Sequence, residues 1–136
     1  MGLHTFVQKD EGEQYIKTRF EADYCRYVFP CFDQPDLKAT WQLSCETEED
    51  WTIISNAPED AEPSDELMTQ VKDDCETACS LFMNDEDTEP ICGKQVIMQR
   101  SKAMATHVCN IIAGPFQYHE KRSEGYPVMR IYARAS

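Results

Sequence analysis

Cysteine and histidine are the side chains here best able to bind a metal or act as nucleophiles, and the chain has seven of the first and three of the second. Cys75-x3-Cys79 is followed by Cys92, and His107 is followed after one residue by Cys109. A zinc site using Cys75 and Cys79 together with Cys92, or together with His107 and Cys109, is one reading. The spacing is unlike a zinc ribbon or finger, so reduced thiols are the simpler expectation. Disulfide pairing among Cys75, Cys79 and Cys92 stays open. Cys31, in Phe29-Pro30-Cys31-Phe32-Asp33, invites a nucleophile reading, yet no histidine lies near it in sequence, and a buried thiol is expected. His4, His107 and His119 are singletons, read as surface or edge residues rather than ligands. Asp33, between Pro30 and Pro35, is read as shaping a turn.

Carboxylates are the other abundant reactive group. Asp plus Glu number 25 against 13 Lys plus Arg, a formal charge of −12. Phosphate backbones and anionic membrane surfaces repel such a chain, so neither nucleic-acid binding nor membrane binding is expected. The excess is local. Residues 46–90 hold 16 acids and a single base, Lys72, whereas the other 91 residues hold 9 acids and 12 bases. No run approaches the roughly 18 apolar residues that span a bilayer, and the N-terminal residues lack the basic and apolar regions of a signal peptide. A cytoplasmic location is expected.

At 41% apolar residues the chain carries material for one core of ordinary domain size. Period-2 alternation over Leu3–Val7, a polar turn ending at Gly12, and renewed extended character from Gln14 to Phe20 predict a hairpin. Asp23 to Phe29 reads as a helical turn stopped by Pro30. Leu37, Ala39, Trp41, Leu43 and Cys45 alternate with polar neighbours and predict a long half-buried strand, with Phe29, Phe32, Leu37, Ala39 and Trp41 in the core. Shorter strands follow at Trp51–Ser55, Gly93–Gln99, Phe116–Tyr118 and Val128–Tyr132, with a dense apolar run at Ala105–Ala113. Between them the acidic segment reads as a solvated loop, because little apolar area offsets its ordering entropy. A short amphipathic helix over Asp65 to Met83, through Leu67, Val71, Cys75 and Leu81 or Phe82, is the alternative. Seven or eight strands and little helix give a mainly β fold, an antiparallel β-sandwich or saddle-like domain with a long acidic loop.

Two stretches are more specific. Gly2-Leu3-His4-Thr5-Phe6, followed by Tyr15 to Trp41 and above all by Phe29 to Thr40 (FPCFDQPDLKAT), closely resembles the N-terminal domain of the aminopeptidase N family of zinc aminopeptidases, the puromycin-sensitive and alanyl aminopeptidase-like gluzincins. Trp51-Thr52-Ile53-Ile54-Ser55-Asn56 and Met104 to Phe116 are similar to two further family segments. The resemblance covers about residues 2–56 and 95–133, so residues 1–136 are read as part of such a domain carrying an acidic insertion at about 57–92. Loop-closure entropy rises only slowly with length, which makes a long insertion tolerable.

The resemblance implies a domain that packs against a thermolysin-like catalytic domain and shapes its substrate entrance. It implies that Glu21, last in Thr18-Arg19-Phe20-Glu21, binds the free α-amino group of the peptide N-terminus. Arg19 stands where the family has Gln, and a cation there repels the substrate amine or neutralises Glu21 by pairing with it; both residues are therefore candidate substrate-binding positions. The family's zinc is held by His-Glu-x-x-His, which is missing from this chain: the only His-Glu pair is His119-Glu120, followed by Lys121-Arg122-Ser123. The Gly-Ala-Met-Glu-Asn exopeptidase motif is missing too. Zinc is therefore expected only in a catalytic domain outside this chain, and the chain alone is expected to be inactive. The expected partners are that catalytic domain or other protein subunits. The alternative is a stand-alone, catalytically inactive relative acting as a binding or structural subunit. The family has strands ahead of the Gly2-Leu3-His4 segment, so uncovered sheet and marginal stability of the isolated chain are also expected.

Overall fold

The structure, a computed structural model, describes residues 2–9, 12–82 and 93–134, with only the backbone described at 75, 76 and 78–82. It is mainly antiparallel β. Strands β1 (Gly2–Val7) and β2 (Gln14–Arg19) pair in register from Gly2 opposite Arg19 to Val7 opposite Gln14, which is the predicted hairpin. Its turn closes through the Gly12 N–H to the Gln8 carbonyl, at 2.9 Å, with Gly12 at φ +73°, a conformation that costs glycine little. The free edge of β2 pairs with β8 (Ile111–Gly114), and β8 pairs with β5 (Thr52–Ser55), giving a four-stranded sheet ordered β1-β2-β8-β5.

Three two-stranded ribbons complete the β structure. They are β3 (Lys38–Ala39) with β7 (Met104–Ala105), β4 (Ser44–Thr47) with β6 (Lys94–Ile97), and β9 (Phe116–Lys121) with β10 (Met129–Arg134). In the last ribbon Glu120 accepts from Arg122 at 2.6 Å and from Arg130 at 2.8 Å, and these two bonds hold its carboxyl below the usual glutamate range.

The four-stranded sheet packs on both faces. Tyr15 is fully buried, stacked on its cross-strand partner Phe6 with ring centroids 5.2 Å apart and met edge-on by Phe116 at 5.0 Å. Gly114 makes this packing possible: at φ +152°, a Cβ there would lie 2.5 Å from the Tyr15 ring. Thr18 and Phe20 point the opposite way, as strand alternation requires. Phe20 joins Cys25 and Cys109 in a buried cluster, against which Phe29, Cys31, Trp41 and Met104 pack.

Three expectations are corrected. The long strand predicted from Leu37 to Cys45 is broken: only Lys38–Ala39 and Ser44–Thr47 are strand, although Trp41 and Leu43 accept backbone bonds from Ser101 and Met98. Phe32, Leu37 and Ala39 are exposed rather than core, Phe32 at 82%, because no described element covers that side of the turn. The acidic segment is not simply a loop, since Asp65–Phe82 forms helix α1. Ser64 caps it, its Oγ accepting the Leu67 N–H at 3.3 Å, and Asp65 and Glu66 sit in the first turn where the helix dipole favours acids. Leu67, Met68 and Val71 are half-buried and form the beginning of the alternative apolar stripe; the side chains of Cys75, Leu81 and Phe82 lie outside the described residues.

Candidate functional site

Arg19 is the last residue of β2, and the chain continues extended through Phe20 before turning at Glu21 to Tyr24. Alternation places Thr18 and Phe20 inward, at 8% and 1% exposure, and leaves Arg19 and Glu21 exposed. Phe20 is the anchor: its side chain sits in the Cys25 and Cys109 cluster, edge-on to Phe29 at 5.9 Å, and its carbonyl accepts the Tyr24 N–H at 3.0 Å. Thr18 is fixed by its hydroxyl, which accepts the Ile111 N–H at 2.8 Å. The Glu21 carboxylate therefore leaves the surface next to a run pinned at Thr18 and Phe20. Among the described residues neither Glu21 nor Arg19 makes a side-chain hydrogen bond or ion pair, so the two do not neutralise each other by contact.

The turn after Glu21 is tied by Asp33. One carboxylate oxygen accepts the Arg26 backbone N–H at 3.1 Å and the other accepts the Thr106 hydroxyl at 2.9 Å. Asp33 thus fastens the 3-10 turn Cys25–Tyr27 to a second 3-10 turn, Thr106–Val108, in keeping with the structural role predicted for it. The same fastening brings Cys25, Cys31 and Cys109 into one cluster, a convergence that reading the cysteines by sequence spacing missed. Burial, and then the Cys31 thiol beside it, push the Cys25 thiol far above its ordinary value. Burial also raises Cys109 and, at Cys45, acts together with the Glu59 carboxylate.

A cavity of about 230 Å³ adjoins this cluster, lined by Phe29, Trp41, Leu43, Met98, Met104 and Ile111 among others. The Trp41 indole N–H is buried without a hydrogen-bond partner among the described residues.

Of the residues considered as metal ligands, Cys92 lies outside the described residues, as do the side chains of Cys75 and Cys79. Among the described residues no three His, Cys, Asp or Glu side chains are placed to hold a metal ion, and the whole sequence has no His-Glu-x-x-His. The described residues do not fit the catalytic zinc that the family resemblance implies. No helix among the described residues is long and apolar enough to cross a membrane.

The described residues form an open, mainly antiparallel sheet with a buried aromatic turn and, at its surface, a Glu21 carboxylate that no described residue pairs with. Comparison with known proteins agrees with the sequence resemblance: the family profile described as the Peptidase M1 N-terminal domain matches residues 1–78. The chain belongs to that family. Among its relatives, an aminopeptidase N of Streptomyces lividans is 47% identical over 66 residues, 48% of this chain and 8% of the relative. A puromycin-sensitive aminopeptidase of Caenorhabditis elegans is 42% identical over 52 residues, 38% of this chain and 6% of the relative. An aminopeptidase M1-D of rice, Oryza sativa subsp. japonica, is 29% identical over 130 residues, 95% of this chain. The chain spans 12% of that relative's length.

Proposed function

We propose that this chain forms the substrate-entrance side of a zinc-dependent aminopeptidase, with Glu21 receiving the α-ammonium of the peptide N-terminus. The observation that carries the reading is the Glu21 carboxylate itself: exposed, free of ion pairs among the described residues, and set on a pinned run in a chain of the Peptidase M1 N-terminal domain family. A carboxylate facing an ammonium in a partly desolvated cleft makes a charge-assisted hydrogen bond, about twice as strong as a neutral one, and fixes which peptide end enters. The zinc and its ligands belong to a catalytic domain beyond these residues, and that domain is the partner that covers the exposed apolar side chains Leu3, Val7, Tyr27 and Phe32.

Arg19 tunes the site. Two residues along an extended run separate side chains by about 7 Å. At that distance a like charge costs the incoming ammonium about 0.6 kcal/mol in water and about four times that in a protein-like dielectric.

The test is a chimera in which residues 2–56 replace the matching stretch of the Streptomyces lividans aminopeptidase N, assayed on an aminoacyl arylamide. Glu21→Gln is expected to lower kcat/KM by about 10- to 100-fold, the loss of a hydrogen bond to a charged group. Arg19→Gln is expected to raise it. An unchanged kcat/KM for Glu21→Gln in a folded, zinc-loaded chimera refutes the assignment.

A further inference from the structure

Cys25 and Cys31 stand six residues apart on either side of Pro30, and the fold turns that spacing into a contact. Cys25 opens the 3-10 turn and is completely buried, while Cys31 is half-buried and packs onto the cluster that Cys25 forms with Phe20 and Cys109. The loop between them is drawn closed. The Val28 and Phe29 N–H groups both bond the Cys25 carbonyl, at 2.9 and 3.2 Å, and the Arg26 N–H bonds Asp33 two residues beyond Cys31. Asp33 in turn is anchored to Thr106, so the loop is held from outside as well as from within. Both thiols are free in this structure, as is Cys109.

We propose that Cys25 and Cys31 form a thiol–disulfide exchange site whose oxidant is a low-molecular-weight disulfide of the glutathione type. Cys31 reaches solvent and reacts first. Its thiolate attacks one sulfur of the small disulfide, the S–S bond of that molecule breaks, and one small thiolate leaves with both bonding electrons. The mixed disulfide on Cys31 is then attacked by Cys25 Sγ, which gives up its proton. The Cys25–Cys31 bond forms as the second small thiolate leaves. Two protein thiols have been oxidised by two electrons, one small disulfide has been reduced to two thiols, and the two protons released by the protein are taken up by those thiols.

The order follows from access and nucleophilicity: exchange needs a reachable thiolate, and a buried thiol is a poor first attacker. Cys31 is also the neighbour that acts most strongly on Cys25, ahead of Cys109, which makes Cys25 the resolving thiol for a modified Cys31. The bridge closes a short loop in the turn that directly follows Glu21, so oxidation stiffens this part of the surface. The site is independent of the aminopeptidase reading, because it needs neither zinc nor a peptide.

The experiment uses the whole 136-residue chain, reduced, desalted and incubated with mixtures of oxidised and reduced glutathione. Trypsin then cleaves at Arg26, between the two cysteines, so a bridge appears as residues 20–26 joined to residues 27–38 in a digest kept unreduced. The expected result is that this joined pair dominates, and that it forms with an equilibrium constant about tenfold or more above that of the same chain in concentrated guanidinium, because the folded turn pre-arranges the thiols. Cys25→Ser is expected to leave glutathione trapped on Cys31. Cys31→Ser, at a half-buried position less apt to disturb folding, is expected to leave Cys25 unmodified. A stable glutathione adduct on Cys31 in the unsubstituted chain, a bridge to Cys109, no oxidation at either residue, or equal bridging in guanidinium each overturns the proposal.

Discussion

Asp33→Ala tests the clamp that organises the surface around Glu21. The substitution removes two acceptors at once, for the Arg26 amide at 3.1 Å and the Thr106 hydroxyl at 2.9 Å. Their costs differ because their surroundings differ. Thr106 is buried, at 6% exposure, so its hydroxyl is stranded, at about 1–3 kcal/mol; the Arg26 amide is exposed and regains water, at roughly 0.5 kcal/mol. The total is about 1.5–3.5 kcal/mol. Asp33→Asn keeps one oxygen for the Arg26 amide and turns its NH₂ toward the Thr106 oxygen, which accepts, so its loss stays under about 1 kcal/mol. With a urea slope of roughly 1.5–2 kcal/mol/M, the alanine variant is expected to lower the unfolding midpoint by about 1–2 M and the asparagine variant by under about 0.5 M. Thr106→Val in the Asp33→Ala background is expected to cost about 1 kcal/mol less than in the unsubstituted chain, since the shared bond is already gone. Equal losses for alanine and asparagine, or strict additivity of Asp33→Ala and Thr106→Val, refute the clamp.

Gly114→Ala combines a positive φ with a Cβ 2.5 Å from the Tyr15 ring, so it is expected to cost more than about 3 kcal/mol, or to abolish cooperative melting. Gly12→Ala, at φ +73° with open space around it, is expected to cost only about 1 kcal/mol; comparable thermal melts for the two variants would refute the packing argument. The buried thiol of Cys25 gives a pH dependence. Its folded pKa lies above the ordinary thiol value of 9.0, so the stability linked to it is fully present below pH 9 and falls as pH rises above that, because the unfolded chain ionises first. The decline for this group is about 1.4 kcal/mol per pH unit, read from urea midpoints under reducing conditions between pH 8 and about 10.5. Cys25→Ala is expected to reduce the slope, leaving the part contributed by the raised thiols of Cys45 and Cys109.

The elements that could be read in the sequence are those whose side chains meet partners close by. Leu3–Val7 and Gln14–Phe20 alternate and are joined by a short polar turn, and they pair as predicted. The strand expected from Leu37 to Cys45 alternates just as well, but alternation reports only that one face is apolar; it cannot say whether anything covers that face. Trp41 and Leu43 are half-buried and Leu37 is not, and the difference comes from residues 60 positions later, such as Ser101, whose hydroxyl accepts the Trp41 N–H at 3.0 Å. Helix α1 carried a signal that composition outweighed: Pro63-Ser64-Asp65-Glu66 is a helix start, and no glycine interrupts residues 57–92. For the candidate site, Glu21 and Arg19 were legible through family resemblance alone, since nothing in local pattern separates Glu21 from any other exposed acid. The Cys25, Cys31 and Cys109 cluster was illegible because Cys109 arrives through the β2–β8 pairing, a long-range contact without a local marker.

That pairing also helps fix the surface run that carries Glu21. Sites work best when their supporting residues are locked by packing and hydrogen bonds. The two inward residues on either side of Arg19 are locked by different mechanisms: Thr18 by its bond to the Ile111 amide of the neighbouring strand, and Phe20 by aromatic and thiol packing. A surface substitution at Glu21 changes charge and leaves both anchors intact, whereas Phe20→Ala opens a core cavity, at about 3–5 kcal/mol by precedent for buried phenylalanine. The two perturbations therefore separate recognition from support. A Glu21 variant that loses substrate affinity while unfolding at the native urea midpoint acts through the carboxylate, and one that loses both acts through the turn beneath it.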